Sequence, residues 1–153
     1  MIGRYKQLFT SLHVAHVKGY NAPHKAVLLL GILELVEYDL LAENRIILSE
    51  DLKDAFSFIW KRYVGNSSVF QDGIYQPFWY MKSEPFWTLR SSDGSVVDMN
   101  ARKPSDAVLE TDYSGKLTPE LYSLIQDVSV RAVLRVALIS KYLVCQGDAA
   151  VIE

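Results

Sequence analysis

From Pro23 to Leu40 the chain is apolar on nearly every side of a helix. Ala26-Val27-Leu28-Leu29-Leu30, Ile32-Leu33 and Leu35-Val36 leave no room for a polar stripe. Such a helix belongs at the centre of a domain, with other elements wrapped around it. A membrane is excluded as its home, because Glu34 and Glu37 break the run well short of the ~18 apolar residues of a span. Its start is marked too. Asn21 can cap a helix, and Pro23 suits a first turn because it has no N–H to leave unpaired.

The rest of the chain supplies the wrapping. Leu8, Leu12 and Ala15, with Phe9 and His16, recur at helical spacing and predict an amphipathic helix over residues 3–17, stopped at Lys18-Gly19-Tyr20-Asn21. Asn44-Arg45 followed by Ile46-Ile47-Leu48 predicts a turn and a short strand. Ser49 then caps a helix carrying Leu52, Ala55, Phe56, Ile59, Trp60 and Tyr63 on one face and ending near Gly65. Thr118-Pro119-Glu120 opens a short helix to Gln126. Asp127 caps the last helix, with Val130, Val133, Leu134, Ala137, Leu138 and Leu143. Between Gly65 and Pro104 the pattern changes to alternating aromatics among Gly and Pro. Phe78 and Tyr80 against Phe86, Trp87 and Leu89 predict a hairpin turning at Lys82-Ser83-Glu84-Pro85, with a second turn at Asp93-Gly94. The expected fold is therefore α+β and mainly α-helical: a buried central helix surrounded by helices, with a small aromatic β-hairpin insertion. A chain of 153 residues without repeats or linkers reads as one domain over residues 1–153.

Charge is nearly balanced, with 16 Lys+Arg against 18 Asp+Glu. That excludes a generally cationic coat for nucleic acid and a charged disordered tail. The balance hides a split, because Arg4, Lys6, Lys18, Lys25 and all three histidines precede the first carboxylate, Glu34. The opening segment is thus locally suited to an anion. With Lys82, Arg90, Arg102 and Lys103 it supplies the cations for one positive face. The N-terminus has no signal-peptide pattern, and a lone Cys145 leaves no internal disulfide, so the expected setting is the cytoplasm.

Catalytic chemistry finds little footing. His13 and His16 lack the Glu of a His-Glu-x-x-His motif, Cys145 has no partner, and there is no Gly-x-Ser-x-Gly, Walker-type or Gly-x-Gly-x-x-Gly loop. No metal, no cofactor and no catalytic residue is expected. Two segments stand out instead. Ala22-Pro23-His24-Lys25 opens the central helix, where the helix dipole, His24 and Lys25 together suit a phosphate. Gln76-Pro77-Phe78-Trp79-Tyr80-Met81-Lys82 is a dense aromatic and proline cluster that either packs the insertion or forms an apolar dimple rimmed by cations.

At these residues the chain resembles the sulfur-binding domain of McrA-type restriction endonucleases, which bind phosphorothioate-modified DNA. The resemblance covers nearly the whole chain. It rests on Ala22-Pro23-His24-Lys25 running into Val27-Leu28-Leu29-Leu30, and on Pro77-Phe78-Trp79-Tyr80 with Phe86-Trp87. Leu117-Thr118-Pro119-Glu120-Leu121 and Arg131-Ala132-Val133-Leu134-Arg135, with Ala137-Leu138 and Tyr142, extend it.

The resemblance implies that Pro23, His24 and Lys25 contact the modified phosphate, where the family often has Arg in place of Lys25. It implies a sulfur cavity lined by Gln76, Pro77 and Tyr80. Gln76 stands where the family typically has Tyr, and Tyr80 where it has a small residue. Arg102, with Lys103 beside it, matches a downstream basic residue that contacts the DNA backbone. Lys18, Lys82 and Arg90 are further backbone candidates, and Asn66, Ser67, Gln71 and Asp72 are candidates for reading bases. The nuclease of such proteins is a separate, metal-dependent HNH domain whose pattern is not found here. The expected role is the N-terminal reader part of a longer restriction endonuclease, binding phosphorothioated double-stranded DNA in a short sequence context. The alternative is a module for unmodified DNA or another phosphate-bearing ligand. An enzyme in its own right and a protein-interaction domain are further readings.

Overall fold

The structure, a computed structural model, describes residues 1–143; Cys145 lies outside the described residues. The central helix is α2, His24–Glu37, in which Ala26, Val27 and Leu28 are wholly buried. It is shorter at both ends than the apolar run. Asn21 does not cap it: Pro23 holds the cap position, and no side chain caps the first turn. Helix α3, Glu50–Tyr63, packs against it most extensively. Gly31 faces α3 closely, since a Cβ there would come within 3.3 Å of the Leu52 side chain. Ser49 caps α3 through the Leu52 amide, as its sequence signature predicts.

The other flank of α2 meets α7, Val128–Leu138, which a π turn extends over Ile139–Leu143. Here the polar side of α2 is used. Arg131, although buried, pairs with Glu37 at 3.0 Å and donates to the carbonyls of Ile125 and Gln126. Asp127 caps α7, and Thr118 caps α6, Pro119–Leu124. Helix α6 stops at Leu124, two residues before the expected end.

The N-terminal segment departs from expectation. Helix α1 covers only Ile2–Phe9. The chain then runs through a turn and an extended stretch into a small hairpin, β1 (His16–Val17) against β2 (Tyr20–Asn21). Lys18 and Gly19 are the two turn residues, with φ of 52° and 83°. Two positive φ values in succession define the tight turn that matches strand twist, so Lys18-Gly19 reverses the chain instead of ending a helix.

The aromatic insertion is also built differently. Phe78 and Tyr80 lie on a short helix, α4 (Tyr75–Tyr80), continued by a 3-10 turn over Met81–Ser83, and not on a strand. Only Trp87–Ser91 is a strand, β3, and its partner is β4, Tyr113–Leu117. The Asp93-Gly94 turn does form, folding Val96 back onto Arg90. Ile46 makes a single bridge to Gly115, so the strand expected at Ile46–Leu48 reduces to one pairing. Helix α5, Asp106–Asp112, precedes β4 and was not foreseen. Its Glu110 accepts from Lys53 of α3 at 2.6 Å and from Tyr75 of α4 at 3.0 Å, tying α4 to the helical core. The fold is thus mainly helical α+β with two small antiparallel sheets among the described residues.

Candidate functional site

The hairpin, the start of α2 and the exposed side of α4 meet around a cleft of about 440 Å³. It is lined by His13, Val14, Ala15 and Val17 from the segment entering the hairpin, by Ala22, His24 and Lys25 from the start of α2, and by Phe70, Gln76, Pro77, Tyr80 and Ser83 from the loop and helix that follow. Gln76 and Tyr80 are exposed, whereas Pro77 lines the cleft although it is largely buried. Helix α4 explains this arrangement: Phe78 and Trp79 turn into the core while Gln76 and Tyr80 face outward. The cleft therefore unites His24, Lys25, Gln76, Pro77 and Tyr80, which lie in two segments some 50 residues apart. Pro23 is buried at the helix start beside it and does not line it.

Three polar groups around this cleft, the His13 amide, the His24 ring and the Lys25 ammonium, are turned into the protein. His24 Nε2 lies 2.7 Å from the Gln71 carbonyl oxygen, so this nitrogen carries the proton and donates it. The ring also packs on Trp60, with centroids 4.8 Å apart, and edge-on to Phe70. Burial lowers the His24 pKa, against weaker opposing effects from the Gln71 carbonyl and Asp72. Lys25 occupies the first turn of α2, the positive end of the helix dipole and an unfavourable place for a cation. It is buried and sends its ammonium to Glu84 Oε2 at 2.8 Å and Ser83 Oγ at 2.9 Å. The same Glu84 oxygen accepts the His13 backbone N–H at 2.8 Å.

The remaining cations are distributed unevenly. Lys82 sits at the rim, its ammonium 3.8 Å from the Trp79 ring centroid and 5.2 Å from that of Tyr80. Burial, with Lys25 nearby, lowers its pKa. Lys18 is exposed at the hairpin tip, next to Val17 of the cleft wall. Arg90 lines a separate polar recess with Arg45 and Lys116 and donates to the Gly94 carbonyl. Arg102 is exposed, Lys103 pairs with Asp106 at 3.0 Å, and neither lines the cleft.

The four base-reading candidates do come together. Asn66, Ser67, Gln71 and Asp72 line a neighbouring recess with Trp60 and Phe70, and Phe70 is shared with the cleft. Ser67 is committed to shaping this loop, since its Oγ accepts from the Val69 and Phe70 amides. Among the described residues, no group of three or more His, Cys, Asp or Glu side chains stands ready for a metal ion, and no helix is long and apolar enough to cross a membrane.

Four contributors escape sequence reasoning. Val14 and Val17 fall within the expected long helix over residues 3–17, where helical spacing gives no sign of a cleft wall. Glu84 was read as a turn residue, although a carboxylate between an aromatic cluster and Phe86-Trp87 is a signal for a buried partner. Phe70 is an isolated aromatic in a polar loop, which is itself a hint of a fixed position.

The fold has relatives among known proteins. No curated protein matches the chain. The solved sulfur-binding domain of ScoMcrA in complex with phosphorothioated DNA shares 21% identity, with 90% of this chain and 86% of that chain covered and a TM-score of 0.66. The sulfur-binding domain of SprMcrA, also solved with phosphorothioated DNA, shares 16% identity over 93% of this chain and 85% of that chain, with a TM-score of 0.64. Within the type IV phosphorothioation-dependent restriction endonuclease ScoMcrA, the match is 21% identical and covers 90% of this chain but 29% of that chain, with a TM-score of 0.65. At these identities the likeness is one of fold. The family model of the ScoMcrA-like DNA sulfur-binding domain matches residues 4–152, nearly the full length. The chain belongs to that family of DNA sulfur-binding domains.

Proposed function

We propose that the cleft between the β1–β2 hairpin and α4 binds duplex DNA at a phosphorothioate, seating the sulfur against Pro77 and Tyr80. One observation carries this reading: the His13 amide, the His24 ring and the Lys25 ammonium are all engaged within the protein, so the cleft meets a ligand with apolar surface. Sulfur is larger, more polarisable and less hydrated than the oxygen it replaces. Burying ~40 Å² of it at ~25 cal/mol/Å² contributes about 1 kcal/mol. An ordinary phosphate oxygen seated against Pro77 loses water and gains neither the His24 N–H nor the Lys25 ammonium, which are engaged elsewhere, at about 1–3 kcal/mol. Together these effects give about 30- to 1000-fold discrimination.

The protein thus acts as a reader. Lys18 and Lys82 flank the cleft and serve neighbouring phosphates, with Arg90, Arg102 and Lys103 further out along the duplex. Asn66, Gln71 and Asp72 face the bases. We place this reader in the cytoplasm as the N-terminal targeting part of a restriction endonuclease, with any metal-dependent cleavage left to a separate nuclease domain. The reading draws support from the family and from the ScoMcrA endonuclease, whose structure contains a domain of this fold. The test is a titration of two duplexes of one sequence, with and without a single sulfur. Tighter binding of the sulfur duplex by 30-fold or more is expected, and equal affinity turns the assignment to ordinary DNA or another phosphate ligand.

A further inference from the structure

Glu84 lies behind the cleft and touches none of its open surface, yet it controls two of the groups that shape it. Its side chain is 1% exposed. Its Oε2 accepts from Lys25 Nζ at 2.8 Å and from the His13 amide at 2.8 Å, and the His13 ring nitrogen Nδ1 is 3.7 Å away. The contact to Lys25 neutralises a cation at the wrong end of a helix dipole, and the contact to His13 fixes the segment that leads into Val14 and Val17. Ser83, the neighbour of Glu84, accepts from the same ammonium.

We propose that Glu84 is a specificity-determining, positioning residue: it holds the Lys25 ammonium back from the cleft, and so disfavours ordinary phosphate there. This rests on the cleft being the sulfur site. The argument follows from the difference between the two ligand atoms. An oxygen anion accepts a hydrogen bond from ammonium far better than sulfur does. A Lys25 ammonium released toward the cleft therefore compensates oxygen for its lost water and does less for sulfur. With Glu84 in place, that donor is held back. A buried ion pair contributes little to stability when compared with apolar side chains of similar size, so its presence here calls for a reason other than stability.

The experiment compares wild type with Glu84→Gln, using the full chain and duplexes with and without one sulfur over a range of salt. Glutamine keeps the shape and an acceptor oxygen but loses the charge. The variant is expected to bind the unmodified duplex about tenfold more tightly, as a charged hydrogen bond gained to phosphate allows. The ratio between the two duplexes falls accordingly, and the slope of log Kd against log salt for unmodified DNA steepens by about one contact. Glu84→Asp retains the charge but reaches less far, so it is expected to lose only part of the preference, less than Glu84→Gln loses. A purely structural role lowers both affinities by the same factor and leaves ratio and slope unchanged, which overturns the proposal. If Glu84→Gln does not fold, Glu84→Asp decides: its shorter reach frees Lys25 in part, so a several-fold rise for unmodified DNA supports the proposal and an unchanged ratio overturns it. Wild type that fails to separate the two duplexes overturns the assignment of the cleft itself. Wild type that separates them while the variants keep the same ratio overturns only the role of Glu84.

Discussion

His24 donates its Nε2 proton to the carbonyl of Gln71 at 2.7 Å, so one side chain ties the start of α2 to the loop that carries Asn66, Ser67 and Asp72. The bond requires the Nε2–H tautomer, and burial against Trp60 favours the neutral ring.

The burial of His24 makes stability depend on pH. The folded His24 pKa lies below its unfolded value of 6.5, so the unfolded chain takes up the proton first as pH falls. Stability is therefore fully present above that value and is lost as pH drops from there through the folded pKa. The urea midpoint of the wild type is expected to fall between pH 7.5 and 5.5, and that of His24→Asn to stay flatter. Asp93, held near a pKa of about 2 by Ser91 and Ser95, loses its stabilising contribution only below its usual 3.8, so the two effects separate. Equal pH slopes in wild type and variant would show that His24 is not the group responsible.

Pro77 contributes apolar lining to the cleft while its carbonyl accepts from the Met81 amide. Pro77→Ala keeps α4 but removes ring surface from the sulfur. Loss of roughly 40 Å² of apolar contact corresponds to about 1 kcal/mol, or about a fivefold drop in the preference for sulfur. Affinity for the unmodified duplex is expected to stay nearly constant. If both affinities fall in parallel, the ring supports the helix and not the ligand.

Lys82 and Arg90 separate the rim of the cleft from the surface beyond it. Lys82 is stacked on Trp79 and Tyr80, while Arg90 is bonded to Gly94 in another recess. Lys82→Met preserves the stem but removes the charge. It is expected to weaken both duplexes similarly and to flatten the salt dependence by about one contact. Arg90→Met is expected to change the slope by less. The reverse order would place the duplex over the Arg90 recess.

The central helix was legible because all-round apolarity has one common cause, and three caps, Ser49, Thr118 and Asp127, were legible because each bonds an amide within three residues. The site residues of α2 and α4 were legible only as segments. Their meeting depends on Glu84 and on Gln71, which act across 59 and 47 residues. The hairpin expected at Phe78–Leu89 failed because alternating aromatics mimic a strand. Pro77 near the start of the run was the helix signal. The real partner of β3 begins at Tyr113, beyond a helix, and local pattern says nothing about such pairing. Lys18-Gly19 misled for a similar reason, since a glycine that can end a helix can equally turn a hairpin.

Gly115 shows how closely that distant pairing is fitted. It sits between two neighbours, opposite Leu89 of β3 and bonded in both directions to Ile46. The indole of Trp87 lies across its Cα, so a Cβ there would stand only 1.9 Å from Trp87 Cζ2. The ring has little freedom to withdraw. It is 4% exposed and packs edge-on to Phe78, with centroids 5.8 Å apart. Gly115→Ala must therefore displace either the indole or the strand, at about 3 kcal/mol, the upper end of ordinary overpacking. For a domain of this size that lowers Tm by roughly 10 °C. Trp87→Phe alone leaves a void and is destabilising as well. Combined with Gly115→Ala it is expected to cost less than the sum of the two single changes, because the smaller ring vacates the space that the new methyl needs. A double-mutant cycle by urea denaturation measures this coupling, and strict additivity would mean that the strand moves and the indole does not. Strand β3 begins three residues after Glu84, and the Trp87 amide donates to the Glu84 carbonyl at 3.2 Å. A shift of Trp87 is thus passed to the carboxylate that holds Lys25, and the single variant is expected to lose part of its preference for sulfur along with its stability.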